Sequence, residues 1–184
     1  MHYATIKDHD NAQGGVPVDK RFYTCCFTGH REAKLPWQAD ETDPRCLELK
    51  ANLAKAVCSA YEEGLRHFVC GMANGCDLYF AEAVLHLREL HPDLTMEAAV
   101  PCPTQADGWR KEMQARYHEL LMQCDTRTLI SETYERGCMM KRNRYMVDHS
   151  RRLIAASNGQ RGGAENTIRY AKSKGLEIIR IPLY

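Results

Sequence analysis

The sequence predicts a single α/β domain built on a doubly wound, mostly parallel sheet with helices on both faces. Three observations support this class. Short β-rich segments alternate with longer segments of helical periodicity from about residue 21 onward. The length of 184 residues fits one domain rather than two. Glycine-rich turns follow several of the strand-like segments, and strands separated by helices require crossovers that leave the strands parallel.

Six segments are predicted as strands because they are rich in β-branched, aromatic or small apolar residues and end at turn-forming residues. The first, RFYTCCFT, ends at Gly29, and the third ends at Pro101. The predicted strands are 21–28, 66–71, 94–100, 126–131, 152–157 and 177–182. Residues 1–20 are polar and carry no such pattern, so we expect a poorly ordered N-terminal extension to a domain that spans 21–184.

Five segments between these strands have apolar residues at helical spacing. The predicted helices are 43–64, 77–91, 109–124, 138–149 and 164–174. The third is the clearest, and its apolar stripe consists of Trp109, Met113, Tyr117, Leu120, Leu121 and Cys124. In the first helix the predicted stripe consists of Leu47, Ala51, Ala54, Cys58, Tyr61 and Leu65.

Composition excludes several functional classes. With 25 Lys+Arg and 24 Asp+Glu the formal net charge is +1, which argues against a polybasic nucleic-acid-binding surface. No run approaches 18 apolar residues and the N-terminal residues are polar, so we expect a cytoplasmic protein with no membrane partner. The nine cysteines include no C-x-x-C pair, which favours reduced structural thiols over disulfides or a zinc site.

The turns after the first, second and fifth strands are the candidate binding site, because ligands of open α/β sheets bind beyond the carboxyl ends of the strands. Glycine lets backbone N–H groups approach a ligand, and the following helix N-terminus favours anions. The candidate binding residues in these turns are Thr28, Gly29, His30, Arg31, Gly71, Met72, Ala73, Asn74, Gly75, Asp77, Asn158, Gly159, Gly162 and Gly163. Arg142 and Asn143 of the fourth predicted helix are added because their side chains could reach the same pocket. Glycine is also required in such turns for steric reasons alone, so a purely structural role is the alternative.

Standard nucleotide fingerprints are absent. The spacing Gly71-x-x-x-Gly75 is not G-x-G-x-x-G, and no G-x-x-x-x-G-K-[ST] occurs, which argues against a dinucleotide oxidoreductase and a P-loop NTPase. The histidines form no metal-spaced cluster, so no metal and no certain cofactor is predicted. Arg31 either contacts a phosphate or is a solvated surface residue. Asp77 either stabilises the second helix as an N-cap or first-turn carboxylate, or contacts a ribose hydroxyl or acts as a base.

Three runs, FTGHR (27–31), GMANGCDL (71–78) and RNRYMVD (142–148), together with LIA (153–155) and Gly162-Gly163, resemble the YpsA-like family of bacterial proteins. That family belongs to the SLOG superfamily of Rossmann-like domains, which also holds the DNA-processing protein A family and the LOG phosphoribohydrolases. The resemblance spans about residues 22–182. It implies a Rossmann-like domain that binds a nucleotide or nucleotide-derived ligand, such as ADP-ribose or an NAD-like molecule, in a sensing or regulatory role.

The chain departs from the patterns of this superfamily at several positions. It has Ser157-Asn158-Gly159 where YpsA-like proteins typically read Tyr-Asp-Gly, and Ala164 where a threonine usually follows Gly-Gly. In LOG enzymes a glutamate follows the glycine-rich run, and here that position falls on Arg169, or on Ile168 if shifted by one. No catalytic residue is therefore predicted.

Two further functions remain as alternatives. One is hydrolysis of a nucleotide N-glycosidic bond, with Asp77 or Glu165 as the acidic group. The other is binding of single-stranded DNA, which the net charge of +1 and the 8% aromatic content disfavour. Self-association is common in the superfamily and is left open, and the sequence does not identify the ligand.

Overall fold

Seven parallel strands form one sheet in the computed structural model, which describes residues 4–5 and 19–183. The strands are β1 (Ala4–Thr5), β2 (Thr24–Gly29), β3 (His67–Cys70), β4 (Thr95–Val100), β5 (Thr126–Leu129), β6 (Arg152–Ser157) and β7 (Glu177–Pro182). Their order across the sheet is β1-β5-β4-β3-β2-β6-β7. All six predicted strands are present, and the doubly wound α/β class is confirmed.

Within residues 19–183, five α-helices cover the two faces of the sheet. They are α1 (Pro44–Glu62), α2 (Cys76–Leu90), α3 (Lys111–Gln123), α4 (Cys138–Asp148) and α5 (Gly163–Ser173). The first three pack in one apolar core, and α4 and α5 pack in a second core across the sheet. Side chains alternate between faces along each strand, so Cys25 and Phe27 of β2 enter the first core and Cys26 enters the second. This two-sided burial explains the continuous apolar runs of the central strands.

The chain changes direction across the sheet between β2 and β6. From β2 it adds β3, β4 and β5 on one side, then returns through α4 to place β6 and β7 on the other side of β2. The two connections that leave β2 and β6 diverge, and a crevice opens between them at the carboxyl ends of these strands. Doubly wound folds bind their ligands at such a switch point.

Several element boundaries differ from the prediction by one to three residues. Lys20–Tyr23 forms a 3-10 turn instead of the start of the first strand, because the Asp19 carboxylate accepts a hydrogen bond from the Arg21 backbone N at 3.0 Å and caps the turn. Trp109 precedes α3, which begins at Lys111. The remaining stripe residues of α3 are buried as predicted.

The predicted buried face of α1 is wrong. Leu47 is 54% exposed, and Cys58 is only half-buried. The buried residues of this helix are Cys46, Leu49, Leu53, Val57 and Ala60. Small apolar residues occur at many positions of α1, so more than one stripe fits the helical period. The structure buries the stripe with the larger branched side chains, which removes more apolar area from water.

Part of the predicted N-terminal extension lies outside the described residues, which omit 1–3 and 6–18. Ala4 and Thr5 form β1 and pair with Thr128 and Leu129 of β5. The predicted disorder of residues 1–20 stays a prediction for the rest of the segment. None of the helices in the described ranges combines the length and apolar character needed to cross a bilayer.

A carboxylate is buried on the α4 side of the sheet. The Glu97 carboxylate on β4 accepts hydrogen bonds from His67 Nε2 at 2.9 Å, Thr128 Oγ1 at 2.7 Å and the Tyr145 hydroxyl at 2.8 Å. Burial alone would raise the pKa of Glu97, but these hydrogen bonds outweigh that effect and hold the pKa below its usual value of 4.5. Glu97 is therefore ionised at neutral pH and ties β3, β5 and α4 to β4.

Candidate functional site

A cavity of about 350 Å³ lies at the switch point, between the loop that follows β2, the start of α2, the inner side of α4 and the N-terminus of α5. Nine of the sequence-predicted site residues line it. They are Thr28, Gly29, His30, Arg31, Ala73, Asp77, Arg142, Asn143 and Gly163. The residues come from four separate chain segments, and the parallel sheet brings these segments together by aligning its carboxyl ends.

The other predicted residues do not line this cavity. Gly71, Met72, Asn74 and Gly75 belong to the β3–α2 loop that supports it, and Asn158, Gly159 and Gly162 belong to the β6–α5 loop at its rim. Met72 is fully buried with a φ of 53°, so its side chain fills the core beneath the loop.

Backbone hydrogen bonds fasten the β3–α2 loop to the loop after β2. The Glu32 N donates to the Asn74 carbonyl at 3.2 Å, and the Cys76 N donates to the His30 carbonyl at 3.1 Å. Gly75 lies at this junction with a φ of 103°, and a Cβ there would overlap the Glu32 backbone N. Glycine is required at position 75 because the two backbones approach this closely.

Asp77, in the first turn of α2, is buried at 6% exposure and accepts a hydrogen bond from the Ala73 backbone N at 3.1 Å. Burial raises the pKa of the Asp77 carboxyl, and the Arg142 charge, the Ala73 amide and Arg31 offset only part of that effect. The carboxylate thus organises its own loop and also faces the cavity. Gly75 is the N-cap of α2, so Asp77 does not cap the helix but lies in its first turn, and its place in the cavity lining leaves the interpretation as a ligand contact open.

Arg142 of α4 forms part of the cavity wall at 4% exposure. Its guanidinium lies against Gly71, donates to the Gly71 and Ala99 carbonyls, and donates through Nε to Asn143 Oδ1 at 2.7 Å. Asn143 in turn donates through Nδ2 to Thr167 Oγ1 at 2.8 Å. Burial lowers the pKa of Arg142, and the Asp77 carboxylate opposes that shift. These contacts fix one cationic side chain in the cavity wall.

His30 is oriented by the β6–α5 loop. Its Nε2 lies 2.8 Å from Asn158 Oδ1, and that oxygen also accepts a hydrogen bond from the Gln160 backbone N at 3.1 Å. Because the amide oxygen can only accept, Nε2 is the ring nitrogen that donates in this hydrogen bond. The opposite ring nitrogen, Nδ1, is then the one available to a ligand in the cavity.

Two exposed cations line the cavity, and one of them, Lys34, lies beside the N-terminus of α5. Arg31 and Lys34 both line it, and neither forms an ion pair within residues 19–183. Lys34 Nζ lies 3.0 Å from the position that a Cβ on Gly162 would occupy, so the ammonium sits directly against the residue that precedes α5. The N–H groups of the first turn of a helix have no acceptor within the helix. This corner of the cavity therefore combines an ammonium group with helix amides that have no acceptor within the helix.

Sequence reasoning missed Lys34, and it also missed five apolar lining residues. These are Phe27, Ala33, Met139, Met146 and Ala164. Lys34 lies within a 3-10 turn, Glu32–Lys34, that follows the first predicted site loop, and its position in the loop was the one available signal. The described part of the chain contains no group of three or more His, Cys, Asp or Glu side chains that could hold a metal ion.

A parallel sheet with this strand order and a cavity at its switch point defines a Rossmann-like α/β domain. Residues 25–177 match the YpsA profile, described as the YspA SLOG family, and the chain belongs to that family. The resemblance read from the sequence motifs is thereby confirmed.

Relatives at the sequence level come from bacteria. The chain is 27% identical over 147 residues to the uncharacterized SPbeta prophage-derived protein YoqJ of Bacillus subtilis, covering 73% of this chain and 86% of that protein. It is 26% identical over 140 residues to a UPF0398 protein of Bacillus pumilus, covering 74% of each.

Solved structures share the fold. DNA processing protein A (DprA) from Streptococcus pneumoniae superposes with a TM-score of 0.61 at 18% identity, over 90% of this chain and 53% of that one. The Helicobacter pylori DNA processing protein A, whose structure is described for its single-stranded DNA binding mode, gives a TM-score of 0.58 at 14% identity, over 88% and 66%. The chain thus spans about half the length of the pneumococcal protein, and at these identities the likeness shows the fold alone.

Proposed function

We propose that this protein binds a nucleotide or nucleotide-derived ligand in the switch-point cavity and acts as a sensor or regulator rather than as an enzyme. The observation that carries the proposal is Lys34, a cation without an ion-pair partner in the described chain that lies beside the first turn of α5, with Arg31 as a second such cation in the lining of the same cavity. A cationic side chain and free helix amides that face the same space favour a phosphate group.

The ligand phosphate is placed at the β6–α5 side of the cavity. There the amides of Gly163 and Ala164 begin α5 and line the space. On the β3–α2 side, the amides of Ala73 and Cys76 already donate to Asp77 and to the His30 carbonyl. A phosphate therefore gains more hydrogen bonds from the start of α5 than from the β3–α2 loop.

The nucleoside part is placed toward His30, Asp77 and Asn143, which line the remainder of the cavity. A carboxylate accepts hydrogen bonds from ribose hydroxyls, and Nδ1 of His30 offers a second polar contact. The cavity volume of about 350 Å³ lies at the lower end of the range for small-molecule sites, which fits one nucleoside and its phosphate.

Hydrolysis is less well supported because one of its two candidate acids is engaged elsewhere. The Glu165 carboxylate accepts a hydrogen bond from Ser157 Oγ at 2.7 Å and pairs with Arg180 at 3.2 Å. The Ser157 hydrogen bond lowers the pKa of Glu165, aided by Arg180, which keeps it ionised. Asp77 is the acidic side chain that lines the cavity, so a hydrolytic function would depend on it.

A cytoplasmic setting is part of the proposal. The nine cysteines are all unpaired and eight of them are buried, which agrees with a reducing compartment.

The test is titration calorimetry with AMP and ADP-ribose on the wild type, Lys34→Ala and Lys55→Ala. Lys55 is an exposed α1 lysine outside the cavity and serves as the matched control. We expect binding to the wild type and to Lys55→Ala, and an affinity loss of about tenfold or more in Lys34→Ala, because a charge-assisted hydrogen bond to phosphate is removed. Chromatography of the recovered nucleotide reports any cleavage.

Single-stranded DNA binding is the competing outcome of the same experiment, since a structural neighbour is described for it. Salt-dependent binding of an oligonucleotide, with no response to either nucleotide, would favour that function and contradict the proposal. Nucleotide binding that is equal in Lys34→Ala and Lys55→Ala would show that the phosphate lies elsewhere.

A further inference from the structure

The outer surface carries a second space next to the proposed site. A groove of about 610 Å³ runs between α4 and α5, and we call it the α4–α5 groove. Met139, Asn143 and Gly163 line both the groove and the switch-point cavity. The two spaces therefore adjoin at the start of α5, where Gly163 begins the helix.

The lining of the α4–α5 groove is mainly apolar. It includes the thioether side chains of Met139 and Met140 and the ring of Tyr170, and Met140 is 50% exposed. Methionine side chains are flexible and polarisable, and their sulfur atoms make favourable contacts with aromatic rings. Solvent-exposed apolar side chains gathered in a concave surface are typical of a ligand-binding groove.

Two arginines flank this apolar floor. The Arg144 guanidinium lies 5.5 Å from the centroid of the Tyr170 ring, and Arg169 lines the groove one helix away. Neither forms an ion pair within the part of the chain that the structure describes. Guanidinium groups stack on flat aromatic rings, including nucleobases, and they also attract phosphate.

We infer that the α4–α5 groove is a second subsite that takes a flat aromatic ring, so that the ligand is a dinucleotide, two nucleosides joined through phosphate. This inference rests on the proposed function and deepens it. The proposed phosphate position, at Gly163 and Lys34, lies at the junction of the two spaces rather than at the end of one. A ligand with phosphate at its centre extends one nucleoside into the cavity and the other into the groove.

The experiment compares diadenosine diphosphate with ADP-ribose, because the two differ by one adenine on the second ribose. AMP measures the cavity alone. Titration calorimetry is run on the wild type, Met140→Glu and Met122→Glu. Met122 is an exposed methionine of α3, 60% exposed and outside the groove, so it is the matched control. Both methionines are exposed, and a thermal melt verifies that each variant folds.

We expect diadenosine diphosphate to bind at least about fivefold more tightly than ADP-ribose, because its second adenine adds the stacking energy of one base. Met140→Glu places a carboxylate in the groove and removes most of that advantage, while AMP affinity stays within about twofold. Met122→Glu leaves all three affinities unchanged.

Equal affinities for diadenosine diphosphate and ADP-ribose, or an equal loss of all three ligands in Met140→Glu, would overturn the second subsite. The proposed function would stand in that case, provided that ADP-ribose binding still depends on Lys34. Binding of none of the three ligands to the wild type would overturn both.

Discussion

Replacing Gly75 by alanine tests how the site loops are held together. Gly75 has a φ of 103°, and a Cβ at this position would overlap the Glu32 backbone N and lie 2.8 Å from the His30 carbonyl oxygen. The positive φ alone costs a residue with a side chain about 1–2 kcal/mol. The collision is with backbone atoms that cannot rotate away, which adds about 1–3 kcal/mol. We therefore expect Gly75→Ala to lower the free energy of unfolding by about 2–5 kcal/mol.

Gly64 offers the matched control, because it has a φ of 91° and nothing lies within 4 Å of its added Cβ. Gly64→Ala is expected to lose only the conformational part, about 1–2 kcal/mol. Urea unfolding, followed by circular dichroism at constant pH, gives both values, and an unchanged m-value shows that the denatured state is comparable. Equal losses in the two variants would refute the close approach of the two loops at Gly75.

The remaining predictions concern a buried carboxylate and a positioning side chain. Glu97→Gln removes the charge that three donors hold ionised, and we expect a loss of about 1–3 kcal/mol at pH 7. The folded pKa of Glu97 lies below 4.5, so its stabilisation is complete above that value and is lost as pH falls through the folded pKa. In thermal melts the difference in stability between wild type and Glu97→Gln is therefore expected to narrow below pH 4.5. A stability difference that does not change with pH contradicts this assignment. Asn158→Ala removes the acceptor that orients His30, and we expect the nucleotide affinity to fall about threefold to tenfold. Because Asn158 is exposed, the melting temperature is expected to stay within about 2 °C of that of the wild type. Calorimetry that shows no change in nucleotide affinity contradicts a positioning role for Asn158.

The fold class could be predicted because it depends mainly on local sequence patterns, which alternate between strand and helix along the chain. Alternation of strand and helix patterns fixes the parallel sheet, and the apolar stripe of α3 identifies its buried face without ambiguity. The buried face of α1 could not be predicted from its sequence in the same way. Its alanines and Leu47 fit a helical period as well as Leu49, Leu53 and Val57 do, and only packing against the sheet and α2 selects the larger residues.

The site was predictable at the level of loops but not of individual groups. The rule that ligands bind at strand ends selected three of the four segments that meet in the cavity, and the fourth is the inner side of α4. It could not show that the Ala73 amide is taken by Asp77, or that Lys34 lies against the start of α5. Both facts depend on contacts between segments far apart in sequence. The same holds for the α4–α5 groove, which exists only because two helices pack side by side.

The central claim is that a phosphate of the ligand lies at the start of α5, and amide chemical shifts test it most directly. Titrating ADP-ribose into the ¹⁵N-labelled protein is expected to shift the Gly163 and Ala164 amides strongly, with smaller changes at Ala73 and Cys76, whose amides already have acceptors. Inorganic phosphate at high concentration should shift the same two amides in the same direction. Changes confined to other parts of the sheet, or no change at Gly163 and Ala164 at saturation, would contradict the account.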